Sequence, residues 1–253
     1  MSVPAALPRA EIRLAGRPLE DEAAATVSGL RIRQVLNVPT LCEITLTDPP
    51  AHLMDDPRLQ PDQGVRVGFA QDGAPAFDGR LVAVEHAFHG AAGRRMHLRA
   101  YDRLHQLRRS RHLRVLAEPT LHALAQALAG PAGLRVEGGE DAELPSQSIQ
   151  HRQSDLQFLV DHAGRCGYYL ACEGDTLRLI RLDAAAPPLE LDRDAGRWEA
   201  RFERTVDGDA AATETAGWDA GTLERRAGRW TPNAIGRRGA DAVADQPGAA
   251  QRP

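Results

Sequence analysis

The chain has 253 residues, 42% hydrophobic and 26% charged, with a formal net charge of −4 and a pI near 6.1. That is enough apolar material for one large or two modest domains, each with its own core, and the composition is globular rather than disordered. All 31 basic residues are arginine. This excludes a Walker A phosphate loop, a Schiff-base lysine and a Ser-x-x-Lys pair, and the mildly acidic balance gives no whole-molecule attraction for polyanions.

The N-terminal MSVPAALPRAEIRLAG lacks the charged region and apolar run of an export signal. No window approaches the ~20 apolar residues of a spanning helix. The expectation is synthesis in the cytoplasm, without membrane insertion. Cys42, Cys166 and Cys172 are odd in number and form no C-x-x-C, so they read as reduced thiols.

The first hundred residues predict strands at RIRQVLN from Arg31, LCEITLT from Leu41, GVRVGFA from Gly64, GRLVAVEHAF from Gly79 and RRMHLRAYD from Arg94. Each alternates apolar with polar positions at period two, and the stretches between them carry the Pro, Gly and Asp that turns require. This describes an antiparallel sheet curved into a barrel.

The period then changes. EPTLHALAQALAGPAG places Leu121, Leu124 and Leu128 on one helical face, with Thr120 as N-cap, Gly130 as the C′ residue, the position where a left-handed glycine ends a helix, and Pro131 blocking continuation. A second helix starts in SDLQFLVDHAGRCG, where Ser154 and Gln157 form an S-x-x-Q capping box and Leu156, Leu159, Val160 and Ala163 supply the apolar stripe. It should stop near Gly164 or Gly167. Strands resume in GYYLACEG, DTLRLIRL and RWEARFERT, the last with Trp198, Ala200 and Phe202 on one face. From 221 to 253 neither period is present and Arg, Gly, Ala and Pro dominate, which predicts a disordered tail.

Candidate chemistry is sparse. Asp161, His162 and Cys166 crowd the second helix, but a Cys–His dyad also needs an orienting group and an oxyanion site; the two former residues read as the helix's polar side. His86 and His89 form an H-x-x-H, yet on a strand they face opposite sides of the sheet even with His97 one hairpin away. No metal and no cofactor are expected. The segment from Arg103 to Arg114 holds five arginines and two histidines with no acid. Arg103, Arg108, Arg109, Arg111 and Arg114 are therefore candidate contacts for a partner protein. Nucleic acid is the less fitting ligand, because no aromatic residue lies among them for stacking. No G-x-G-x-x-G or G-x-S-x-G is present.

Taken in order, these features resemble the hub family of contractile injection machines: phage late control D proteins, contractile-tail hubs and the N-terminal part of VgrG spikes. The matching positions are the Phe-x-Gly strand start at Phe77 and Gly79 and the aromatic-Asp pair Tyr101 and Asp102. They continue with the helix motif at Ser154, Asp155, Leu156, Phe158 and Leu159, its Gly167, and the later Gly217, Trp218 and Asp219. The resemblance implies an α+β, β-dominated fold of two tube-like barrels joined by an α-containing segment. Its parts would be a first barrel at 1–104, a linker and helical segment at 105–166, an incomplete second barrel at 167–220 and the tail at 221–253. It also implies a non-enzymatic baseplate hub that forms a homotrimer in a phage tail or injection particle. Such a hub would adapt a hexameric inner tube protein to a trimeric spike protein among other baseplate subunits. The alternatives are a nucleic-acid-associated protein using the 103–114 arginines and a hydrolase with an unrecognised site.

Overall fold

The computed structural model describes residues 10–69, 75–88, 90, 93–145, 147–181, 213–219 and 223–230. The chain divides into two units, Met1–Arg181 and Leu182–Pro253. The first unit contains two hydrophobic cores.

Its first core lies inside a seven-stranded antiparallel sheet. The strands are β1 (Ala10–Leu14), β2 (Arg17–Pro18), β3 (Val27–Arg33), β4 (Leu41–Thr47), β5 (Gly64–Phe69), β6 (Phe77–Phe88) and β7 (Arg94–Tyr101), in the spatial order β2-β1-β5-β6-β7-β4-β3. Alternation decides which face turns inward: Ile12 and Leu14, Cys42, Ile44 and Leu46, Val65 and Val67, and Met96, Leu98 and Ala100 are all buried while their neighbours are not. Register shifts between Val27 and Gly29 and between Leu81 and Ala83 bend the two strands that carry them. The sheet curls into a half-barrel. Two short helices, α1 (Asp21–Ala25) and α2 (Ala51–Met54), add the buried Ala23 and Leu53 to its core.

The second core belongs to a smaller lobe built from α3 (Leu104–Arg109), α4 (Leu121–Ala129) and α5 (Asp155–Arg165). With them lie a two-stranded ribbon of β8 (Arg114–Leu116) and β10 (Ser148–Gln150), and a three-stranded sheet of β9 (Arg135–Glu137), β11 (Tyr169–Glu173) and β12 (Thr176–Ile180). Leu121, Leu124 and Leu128 from α4 meet Leu156, Phe158 and Leu159 from α5, and Leu170, Leu177 and Leu179 close the core from the sheet. In the second unit the described residues form one hairpin, β13 (Thr213–Asp219) with β14 (Glu224–Trp230).

Five sequence readings change here. β11 and β12, expected within the second barrel at 167–220, pack instead against α4 and α5, because their inward residues match the helices' leucine faces. The arginine-rich stretch read as a linker contains α3, whose Leu104 and Leu107 are buried on the lobe's core. Gly130 is not left-handed: the chain runs on through a 3-10 turn at Gly130–Ala132 that accommodates Pro131, and Gly133 takes the positive φ of 71°. Part of the predicted tail is β14, whose full pairing with β13 supplies the order that an absent apolar face could not signal. His162 is buried rather than solvated, as described below. The strand predicted around Trp198, Ala200 and Phe202 lies outside the described residues.

Candidate interaction surface and its buried support

The half-barrel and the lobe meet at the end of β7. Gly79 is buried where β6 crosses Tyr101, with the Phe77 ring beside it, so any side chain there would strike backbone. Asp102, the next residue after β7, is also buried. Its Oδ2 accepts the Thr40 amide at 2.8 Å and its Oδ1 the Leu104 amide at 3.0 Å, which ties the β3–β4 loop to the first turn of α3. A second tie runs from the same loop to β11: Leu170 donates to Asn37 Oδ1 at 2.8 Å, and the Asn37 amide donates to the Leu170 carbonyl at 2.9 Å.

Burial pushes the Asp102 carboxyl above the usual carboxylate range, against the lowering effect of its two amide donors. A raised folded-state pKa means the folded protein binds the proton more tightly than the unfolded chain. The contribution is therefore present below the unfolded carboxylate pKa and is lost as pH rises through the folded value. Urea titrations of the native protein and Asp102→Asn should diverge in this way: native stability gains relative to the variant on acidification through that window. Parallel pH curves would show that Asp102 titrates no differently on folding.

α5 carries the motif that begins at Ser154. The Ser154 hydroxyl accepts the Gln157 amide at 3.2 Å, while the Gln157 side chain turns to Asp161 at 2.8 Å, so only half of the capping box forms. The helix ends as expected at Gly167, with φ 74°, Tyr168 N–H bonded to the Ala163 carbonyl and Gly167 N–H to that of Gly164. Asp155 is buried and accepts from Arg114 at 2.9 Å and Gln150 at 2.7 Å. Gln150 in turn accepts from Arg114 Nε at 2.8 Å. His162 donates from Nδ1 to the Phe158 carbonyl at 2.9 Å, which leaves Nε2 to accept the Ser148 hydroxyl at 3.0 Å. Both imidazole nitrogens are therefore occupied, Nδ1 within α5 and Nε2 in tying α5 to β10.

The arginines divide by role. Arg114 is committed to Asp155 and Gln150, and Arg103 donates to the Gly133 carbonyl at 3.1 Å. Arg108 lies over the Tyr101 ring, which itself stacks on His105 at 4.7 Å. Arg108, Arg109 and Arg111 are exposed. With Arg114, Leu116, Ser148 and Gln150 directed to the lobe, the other side of the ribbon presents Val115, 59% exposed, directly opposite Ile149, 68% exposed. Leu113, 77% exposed, extends that side.

Among the described residues, reactive groups do not converge. Burial pushes Cys42 and Cys172 up to about 12 and raises Cys166, which keeps the three thiols protonated at neutral pH. His97 Nδ1 lies 3.1 Å from Thr45 Oγ1, and His89 is outside the described residues. Among the described residues no three His, Cys, Asp or Glu side chains group as metal ligands, and no helix is long and apolar enough to cross a membrane. Gly217, Trp218 and Asp219 lie in β13, opposite Arg226, Arg225 and Glu224, with Trp218 exposed.

No protein-family model and no curated protein sequence matches the chain. Solved structures do. A tail protein from Neisseria meningitidis MC58 superimposes with a TM-score of 0.64 at 16% identity, over 94% of this chain and 76% of that one. The 43 kDa tail protein of prophage MuSo2 from Shewanella oneidensis gives 0.55 at 13% identity, over 70% of this chain and 55% of that one. A prophage tail protein from Listeria monocytogenes EGD-e gives 0.52 at 10% identity, over 91% of this chain and 69% of that one. At these identities the shared property is the fold, and the chain spans little more than half of the Shewanella protein.

Proposed function

We propose that this chain is a non-enzymatic structural subunit of a phage tail or a related contractile injection particle. Within it the chain acts as a baseplate hub that adapts a hexameric inner tube to a trimeric spike. The observation that carries the reading is the likeness to the Neisseria tail protein over 94% of the chain. Two features of the molecule support it. Hydrogen bonding and packing account for the conspicuous polar residues of α5, and β3 forms an edge of the half-barrel sheet with strand partners on one side. Such edges favour association with other chains. In this reading the residues that carry the family resemblance, between Phe77 and Gly167 and at Gly217, Trp218 and Asp219, are scaffold, and the exposed arginines contact another baseplate component.

Nucleic-acid binding is the weaker reading, since Arg103 and Arg114 are spent on internal partners. Light scattering coupled to size exclusion tests the hub assignment. The isolated chain is expected as a monomer or weak trimer, shifted to a defined ring by its tube or spike partner. A stable dimer that neither partner alters, or retention on DNA that falls steeply with salt, would overturn it.

A further inference from the structure

The β8–β10 ribbon has apolar residues on both of its faces. Leu116 packs against the lobe's core, while Val115 and Ile149 stand directly opposite each other on the outer side with Leu113 beside them. A ribbon face that meets solvent normally carries polar residues at these positions. Charge marks what would cover it. Arg111 and His151 are exposed at the end of this face and Arg152 follows them, whereas the neighbouring acid Asp155 is buried and already paired with Arg114.

We propose that the outer face of the β8–β10 ribbon docks an extended segment of another protein whose every second residue faces the ribbon, aliphatic over Leu113, Val115 and Ile149 and acidic beyond them. The acidic end meets Arg111 and its basic neighbours. A second copy of this chain fits poorly, because the same face of the copy brings basic groups and its neighbouring acid Asp155 is buried and already paired with Arg114. Nucleic acid would want aromatic rings for stacking, and this face offers aliphatic side chains. The inference goes beyond the hub assignment and stands without it, since it rests on this face alone.

The test uses the full chain and labelled peptides of about ten residues in which valine and isoleucine at every second position are followed, in the same alternation, by glutamates, with serine at the positions between, beside a lysine-for-glutamate counterpart. A single-stranded oligonucleotide and phosphatidylserine-containing vesicles complete the set. Saturable binding of the glutamate peptide is expected, weakened by salt and by at least about tenfold in Ile149→Asp and Val115→Asp. Arg111→Glu with Arg152→Glu should shift preference to the lysine peptide. Because all four side chains are exposed, the variants should keep the native far-UV spectrum. If Ile149→Asp does not, Ile149→Thr and peptide-induced protection of amides 113–116 and 148–151 from hydrogen exchange read the same contact. No binding of the glutamate peptide overturns the proposal, as does equal or stronger binding of the lysine peptide, oligonucleotide or vesicles. A concentration-dependent dimer abolished by Ile149→Asp would overturn it in favour of self-association.

Discussion

Replacing Gly79 by valine is expected to cost about 3 kcal/mol or more, the upper range for forcing atoms into a packed core. A Cβ at this position would fall on the Tyr101 carbonyl oxygen, 2.7 Å from the Tyr101 carbonyl carbon and 2.5 Å from Phe77 Cζ. Two of those obstacles are backbone in the adjacent strand. That backbone has little room to retreat, because Tyr101 sits between Leu41 and Arg80 in the sheet and Asp102 is anchored to Thr40. Gly79→Ala meets the same backbone with a smaller group and should cost about 2 kcal/mol. Gly64 and Gly68 on the neighbouring β5 provide the control: a Cβ there meets nothing within 4 Å, so their alanine variants should stay within about 0.5 kcal/mol of the native protein. Urea denaturation midpoints for the four variants read the contrast directly. Equal midpoints for Gly79→Val and the native protein would mean that close strand contact at Tyr101 does not hold the half-barrel.

The same residues show how far the sequence could be read. Period two located β4, β5, β6 and β7, because each places its apolar residues on the curled face and little else competes for them. α5 was legible at both ends, since Ser154 and Gly167 act on backbone groups within a few positions of themselves. What escaped depends on distant partners. Nothing local marks Asp155 as buried, for its arginine lies 41 residues earlier in the chain. His162 follows Asp161 on the helix and looks solvated until β10 brings Ser148 to its Nε2. Strands as short as β8, β9 and β10, three residues each, are too brief to display a period. RHLRVLAE alternates in the unexpected sense: Leu113 and Val115 fall on the outward side, and the inward side holds Arg114 beside Leu116. Period two alone would turn Leu113 and Val115 toward the core, and the structure leaves both exposed.

Removing the arginine of the Arg114–Asp155 pair is expected to be far more damaging than removing the acid. The Asp155 side chain is 7% exposed and that of Arg114 31%. In Arg114→Ala the carboxylate remains buried, with the Gln150 amide and, at 3.7 Å, the His112 ring as its remaining polar neighbours. Stranding a buried charge costs about 3–5 kcal/mol, a large share of the 5–15 kcal/mol that holds a typical domain together. In Asp155→Asn the guanidinium can turn to water and an acceptor oxygen is retained, so the cost should be nearer 1–2 kcal/mol. Replacing both residues with apolar ones, often harmless for an isolated pair, should not restore stability here. Gln150 is fully buried, and Arg114 Nε is the donor its Oε1 accepts. Thermal or urea unfolding of the two single variants and an Arg114→Met/Asp155→Leu double variant measures the ordering. Amide exchange should also quicken across β8 in Arg114→Ala, because the pair fastens that strand to the first turn of α5 and thereby holds Leu113 and Val115 on their outer face. A double variant as stable as the native protein would show the pair to be separable from Gln150, and the ribbon to be held by its hydrogen bonds and Leu116 alone.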